Sequence, residues 1–150
     1  MLGEVRFELA DESRIESVMN DLFRLHEIRW RRVGEAGVCA EPLVRNFHLT
    51  AARRLLNAGM LRLHSLHLNG AVLAVYYCFT AKGIAYAYLG GFDPDHAKLS
   101  PGTQLLAHAI ECAVQEGARE FHFLRGQEAY KFTWRPIMRP NRYRTLRQKC

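Results

Sequence analysis

The sequence predicts an α+β fold (α/β in some schemes): a mixed sheet, antiparallel in its first part and parallel across a final crossover. Three observations predict it. Residues 61–89 hold three strand-like runs separated by Asn69-Gly70 and Lys82-Gly83, the pattern of an antiparallel meander. Ser100-Pro101-Gly102 then opens a helical pattern that closes at Gly117, and Phe121 and Phe123 alternate directly after it. A strand-helix-strand unit this compact is a right-handed parallel crossover. One strand and two helices precede the meander, giving β-α-α-β-β-β-α-β with a candidate last strand.

In chain order, Glu4 to Leu9 alternates Val5, Phe7 and Leu9 with charges, a first strand. Ser13-Arg14-Ile15-Glu16 reads as a capping box. It opens a helix to about Arg32 whose apolar face is Ile15, Val18, Met19, Leu22, Phe23 and His26. Gly34 and Gly37 mark a loop, and Pro42 starts a second helix through Leu43, Phe47, Ala51 and Leu55 to Gly59. Leu61 to Leu68 shifts its apolar parity midway, which requires either a bulge near Ser65 or burial on both faces. Ala71 to Thr80 is almost continuously apolar and so central. Ile84 to Leu89, bounded by Gly83 and Gly90-Gly91, is the third strand of the meander. The crossover helix presents Leu105, Leu106, Ala109, Ile110, Ala113 and Val114 as one stripe. Arg135 to Asn141 is a loop, and Tyr143 to Gln148 is the candidate last strand.

At 150 residues the chain is expected to form one domain with its own core. Its 49% hydrophobic and 24% charged residues suit a soluble globular protein. No apolar run approaches the roughly 20 residues of a spanning helix, and no signal-peptide pattern opens the chain. A cytoplasmic protein without a transmembrane segment is the expectation. Cys39, Cys78, Cys112 and Cys150 lack C-x-x-C or zinc-ligand spacing, so buried free thiols and no metal are expected. The net charge of +6 is uneven: residues 125–149 carry eight Lys/Arg against one Glu. That patch suits a polyanion, or else it is a solvated or partner-covered tail. Few aromatics interleave it, which argues against a nucleic-acid partner.

Four blocks carry a family resemblance. They are Leu25-His26-Glu27-Ile28-Arg29-Trp30, Gly90-Gly91-Phe92-Asp93-Pro94, Ser100-Pro101-Gly102-Thr103, and Phe123-Leu124-Arg125-Gly126 with Glu128-Ala129-Tyr130-Lys131-Phe132-Thr133-Trp134. In this order they resemble the CelD-like (cellulose-biosynthesis type) acetyltransferase domain of the GNAT superfamily, related to the Fem aminoacyltransferases. The likeness runs from about Phe7 to Trp134. Two blocks depart from the family pattern: His122 and Gln127 stand where acidic residues are usual, and Ser100-Pro101-Gly102-Thr103 replaces the Gln/Arg-x-x-Gly-x-Gly/Ala loop.

The resemblance implies transfer of an acetyl or other acyl group from acyl-CoA to an amine acceptor, by direct attack in a ternary complex. The acceptor would be a small molecule, a saccharide or a peptide. Acyl transfer needs a held phosphate and pantetheine, donors for the oxyanion, and a proton acceptor. Ser100, Gly102, Thr103 and Gln104 at the helix start are the candidate cofactor-binding residues, because a helix N-terminus offers free N–H groups. Backbone N–H groups of Leu89, Gly90 and Gly91 are the oxyanion candidates. Glu128 as base, Tyr130 as acid and Lys131 beside them form the candidate catalytic group. Arg125, Trp134 and Asp93 are candidate substrate-binding residues. Against each stands an ordinary structural role: a capped helix, a strand end, an ion pair of Glu128 with Arg125 or Lys131, an Asx turn at Asp93, a core Trp30 and a packed His122.

A non-catalytic half that binds or regulates is the alternative, as is a Fem-like transferase using aminoacyl-tRNA. Many relatives carry a second acyltransferase-like half, so a missing N-terminal half or a homo-oligomer is the implied protein partner.

Overall fold

The computed structural model describes residues 3–146. Five strands form one sheet in the order β1 (Val5–Leu9), β2 (Leu61–Leu68), β3 (Ala71–Ala81), β4 (Ile84–Phe92) and β5 (Glu120–His122). Neighbours are antiparallel except β4 and β5, which run parallel. Helices α1 (Ile15–Arg32) and α2 (Pro42–Asn57) cover one face, and α3 (Pro101–Gln115) covers the other. A one-turn helix, α4 (Ala129–Phe132), follows β5. The expected element order and the central place of β3 are both present.

Local chemistry explains the turns. Asn69 and Gly70 have φ of 51° and 83°, and Lys82 and Gly83 have 52° and 73°. These are the paired positive dihedrals of the two-residue hairpin turns that match strand twist. β2 is buried on both faces: Leu61 and Leu63 join the α1 core, while Leu66 meets Leu105 of α3. Two-sided burial therefore accounts for the parity shift. The sheet also has an irregularity near Ser65, between Leu66 and His67, and its unmatched residue is Leu73 on β3.

Three helix expectations are corrected. α1 has no side-chain cap, so the expected Ser13 capping box is absent; Asp11 instead closes the turn ahead of the helix, its Oδ1 accepting the N–H groups of Ser13 (3.0 Å) and Arg14 (3.2 Å). On α2 the buried side chains are His48 and Ala52, whereas Leu43 and Phe47 are exposed. Of the expected stripe Leu55 does pack against the core, joined by Leu49 and Leu56, so the inward face is turned toward His48 and Ala52. On α3, Val114 is exposed, while Leu105, Leu106, Ala109 and Ala113 are buried. Residues 135–146 form no strand, so the candidate last strand is absent over 143–146; residues 147 and 148 lie outside the described residues. No helix among the described residues is long and apolar enough to cross a membrane.

Candidate active site

The parallel pair is short. β4 and β5 match only over Ile84 to Tyr86 against Glu120 to His122, and β4 then continues alone to Phe92. Beyond His122 the chain turns away through Leu124 and Gly126, with φ of 57° and 105°. Among the described residues, the β4 edge from Ala87 onward is thus left without a strand on that side. Within this open stretch Tyr77 pairs with Leu89 but Cys78 pairs with Ala87, so Tyr88 is an extra, bulged residue.

The bulge decides which way the neighbouring residues face. Tyr86 and Tyr88 lie with Tyr77 and Phe79 on the α1/α2 face. Gly90 and Gly91 do more than end a strand. A Cβ at Gly90 would lie 2.7 Å from the Tyr76 ring, and one at Gly91 would lie 3.0 Å from the His26 backbone N. Side chains at either position would push away the ring or the helix that now flank β4.

At the start of α3, Ser100 occupies the N-cap position in the left-handed region (φ 49°, ψ 49°) and makes no side-chain cap. The Gln104 N–H donates to the Ser100 carbonyl at 3.1 Å and its Nε2 to the Leu99 carbonyl at 2.6 Å. Gln104 is therefore corrected as a phosphate donor: its N–H is spent inside the helix. Gly102 and Thr103 keep first-turn N–H groups that have no intrahelical partner. The missing side chain of Gly102 faces Phe92, 3.3 Å from where a Cβ would sit, so this glycine serves helix-strand packing.

Asp93 makes the expected Asx turn, accepting the Asp95 N–H at 2.9 Å. It also bonds His96 Nδ1 at 2.8 Å. Burial raises the pKa of its carboxyl, but the Asp95 and His96 bonds outweigh that and hold it below the ordinary value.

The segment after β5 brings Glu128, Lys131 and the Arg125 carbonyl together. Lys131 is buried, with Nζ 2.8 Å from Glu128 and 2.7 Å from the Arg125 oxygen. Burial pushes the Glu128 carboxyl up, yet the Lys131 bond pulls it below its ordinary value, which weakens it as a base. Its carboxylate also folds over Gly126, where no Cβ would fit. Arg125 is exposed. Tyr130 faces Tyr76, whose hydroxyl is pushed up first by burial and then by Tyr130. Trp134 packs against Cys78, Ala87 and Leu106, with Phe121 and Phe123 beside it. That placement makes it part of the α3 core.

His48 and the tyrosines around the bulge went unrecognised in the sequence. His48 is buried, with its ring centroid 5.6 Å from Tyr88 and 6.0 Å from Tyr77. Burial lowers its pKa, so its imidazole is neutral at pH 7. Tyr77 and Tyr88 are 5.6 Å apart, Phe79 and Tyr86 stack at 5.1 Å, and Tyr86 meets His122 at 5.3 Å. Together they form an aromatic wall on the α2 side of the open edge. The Glu120 carboxylate at its end is taken by His122 at 2.7 Å and Arg139 at 3.0 Å. A run of Tyr at alternate positions 86 and 88 was the available signal. His26 lies deeper, its Nε2 accepting the Trp30 indole N–H at 2.8 Å.

A family model described as acetyltransferase (GNAT) domain matches residues 1–132. No curated protein sequence matches significantly. Among solved structures, an aminoglycoside acetyltransferase from an uncultured soil metagenomic sample, in complex with sisomicin, superposes with TM-score 0.67 at 16% identity. That match covers 95% of this chain and 97% of the other. An aminoglycoside N-acetyltransferase in complex with CoA gives 0.64 at 13% identity, covering 99% and 97%. The PaiA N-acetyltransferase of Thermoplasma acidophilum, in complex with coenzyme A, gives 0.64 at 12% identity, covering 88% and 86%. At such identities the likeness establishes the fold, and function rests on the site.

Proposed function

The chain belongs to the acetyltransferase (GNAT) domain family, acyl-CoA-dependent N-acyltransferases, and from that membership we propose that it acetylates a small amine of aromatic or apolar character. The observation that carries this reading is the open β4 edge with its bulge at Tyr88, flanked by an aromatic wall. Pantetheine contains two amides, and an unpaired strand edge offers them a ladder to join. The first-turn N–H groups of Gly102 and Thr103 favour the pyrophosphate, as does the positive end of α3.

In this reading His48 takes the proton of the acceptor ammonium. The freed nitrogen attacks the thioester carbonyl, β4 amides near Leu89 to Gly91 donate to the oxyanion, and the C–S bond breaks. Tyr130, on the α3 side beside Tyr76, gives its proton to the departing thiolate and is reprotonated through solvent by the second proton that the nitrogen loses as the intermediate collapses. Glu128 and Lys131 hold the Arg125–Lys131 turn beside the site. The CelD-like relation is part of this proposal, as is direct attack in a ternary complex.

The acceptor class follows from charge. A single ammonium sits well over tyrosine faces, whereas a polycation needs several unpaired carboxylates. The wall's own carboxylate, Glu120, is already engaged. Release of free CoA thiol from acetyl-CoA should therefore be measurable with an arylalkylamine. Its kcat/KM should exceed that for an aminoglycoside by about tenfold or more, since each 1.4 kcal/mol is a factor of ten. No thiol release with any amine, at saturating acetyl-CoA, would defeat the proposal.

A further inference from the structure

A second group of polar side chains sits apart from this edge, between β2 and α3. His108 and Cys112 are four residues apart on α3 and so share one face of the helix. His108 Nε2 lies 3.4 Å from Cys112 Sγ. His64 of β2 points into the same space, its ring centroid 5.8 Å from that of His108. One ligand atom from each of the three lies within 4.8 Å of the others.

His64 supplies an independent observation. It is 2% exposed, and its Nδ1 is buried with no hydrogen-bond partner among the described residues. A buried, unsatisfied polar atom is costly, and natural structures keep few of them. His64 and Cys112 also line a cavity of about 10 Å³ beside the cluster, whose lining includes Arg62 and Glu116 as well; His108 is not part of its lining.

We propose that His64, His108 and Cys112 bind one zinc-class divalent ion that clamps α3 to β2. Two imidazoles and a thiolate suit zinc and similar borderline-soft ions. A tetrahedral site with ligand bonds of 2.0–2.3 Å needs ligand atoms about 3.5 Å apart. Small rotations of His108 and Cys112, both half-buried, close the present spacing. Burial, with Glu116 and Glu111, holds the Cys112 thiol above its ordinary pKa, so the ion displaces its proton to solvent on binding. Phe7 stacks on the His108 ring, with centroids 4.5 Å apart.

The test is titration of the purified chain with Co²⁺, followed by displacement with Zn²⁺. One equivalent should produce a thiolate-to-cobalt charge-transfer absorption that Zn²⁺ abolishes. Cys112→Ser should remove that band, and His108→Ala should weaken binding by at least about tenfold. Both variants are to be shown folded by circular dichroism, and Cys150→Ser should leave the band unchanged. Absence of a charge-transfer band, or its persistence in Cys112→Ser, overturns the proposal. Neither result bears on acetyl transfer, which is read separately by thiol release.

Discussion

His48→Ala lowers kcat by about 10²–10⁴-fold, the range for losing a positioned general base, while acetyl-CoA affinity changes little. The reasoning is geometric. His48 belongs to α2 and lies under the aromatic wall, 5.6 Å from the ring of the bulged Tyr88. The pH profile separates a base from a packing residue. Burial lowers the His48 pKa below the ordinary histidine value of 6.5. A base with a lowered pKa stays neutral, and active, until the pH falls through that value. The acid limb of kcat/KM should therefore lie below pH 6.5 in the native enzyme and disappear in His48→Asn. Buried neutral histidine also costs stability as acid accumulates, because the unfolded chain then binds more protons. Steady-state kinetics across pH, with circular dichroism at each end, measures both effects. A limb unchanged in His48→Asn would assign the proton to another group.

Gly91→Val destabilises the fold by about 3 kcal/mol, the upper part of the overpacking range. For a chain of this size that is a fall in Tm of about 6–12 °C. A Cβ at Gly91 would lie 3.0 Å from the His26 backbone N and from Leu25 Cβ, and 3.3 Å from the Leu22 oxygen. Two of those neighbours are backbone of α1, so the helix must shift as a unit. Gly90→Ala provides the contrast. Its Cβ meets only the Tyr76 ring, which can rotate, so its Tm should fall by less than half as much. Calorimetric melting of the two variants decides the matter. Equal losses would mean that α1 does not press on β4 as described.

The sequence carried the fold well where short-range chemistry dictates structure. Asn69-Gly70, Lys82-Gly83, Pro42, Pro101 and Gly117 each fix a local geometry, and each marks the boundary it should. It misled on α2, where Phe47 outweighs His48 in any hydrophobic count although His48 is the one buried. It also misled at the α1 start, because the Ser13 hydroxyl donates to Asp11 and does not cap the helix.

The candidate site was legible as a region and less so as residues. The helix start and Gly90-Gly91 come from adjacent positions and were readable. The ion pair of Glu128 with Lys131 was among the structural roles the sequence allowed, whereas the burial of Lys131 and its bond to the Arg125 carbonyl depend on the path of the loop. The bulge at Tyr88 depends on a register between strands, which a single strand does not encode. The grouping of His64, His108 and Cys112 is invisible to Cys-x-x-Cys spacing, because its members come from two elements distant in sequence.

Amide hydrogen exchange with and without acetyl-CoA tests the central claim most directly, since it reads cofactor placement without knowledge of the acceptor. Binding in the open edge predicts slower exchange at Ala87–Gly91 of β4 and at Gly102–Thr103, with the α2 and β1 amides unchanged. Acetyl-CoA that binds while those amides keep their free rates, or that protects the opposite end of the sheet around Met60 to Gly83, would contradict the account.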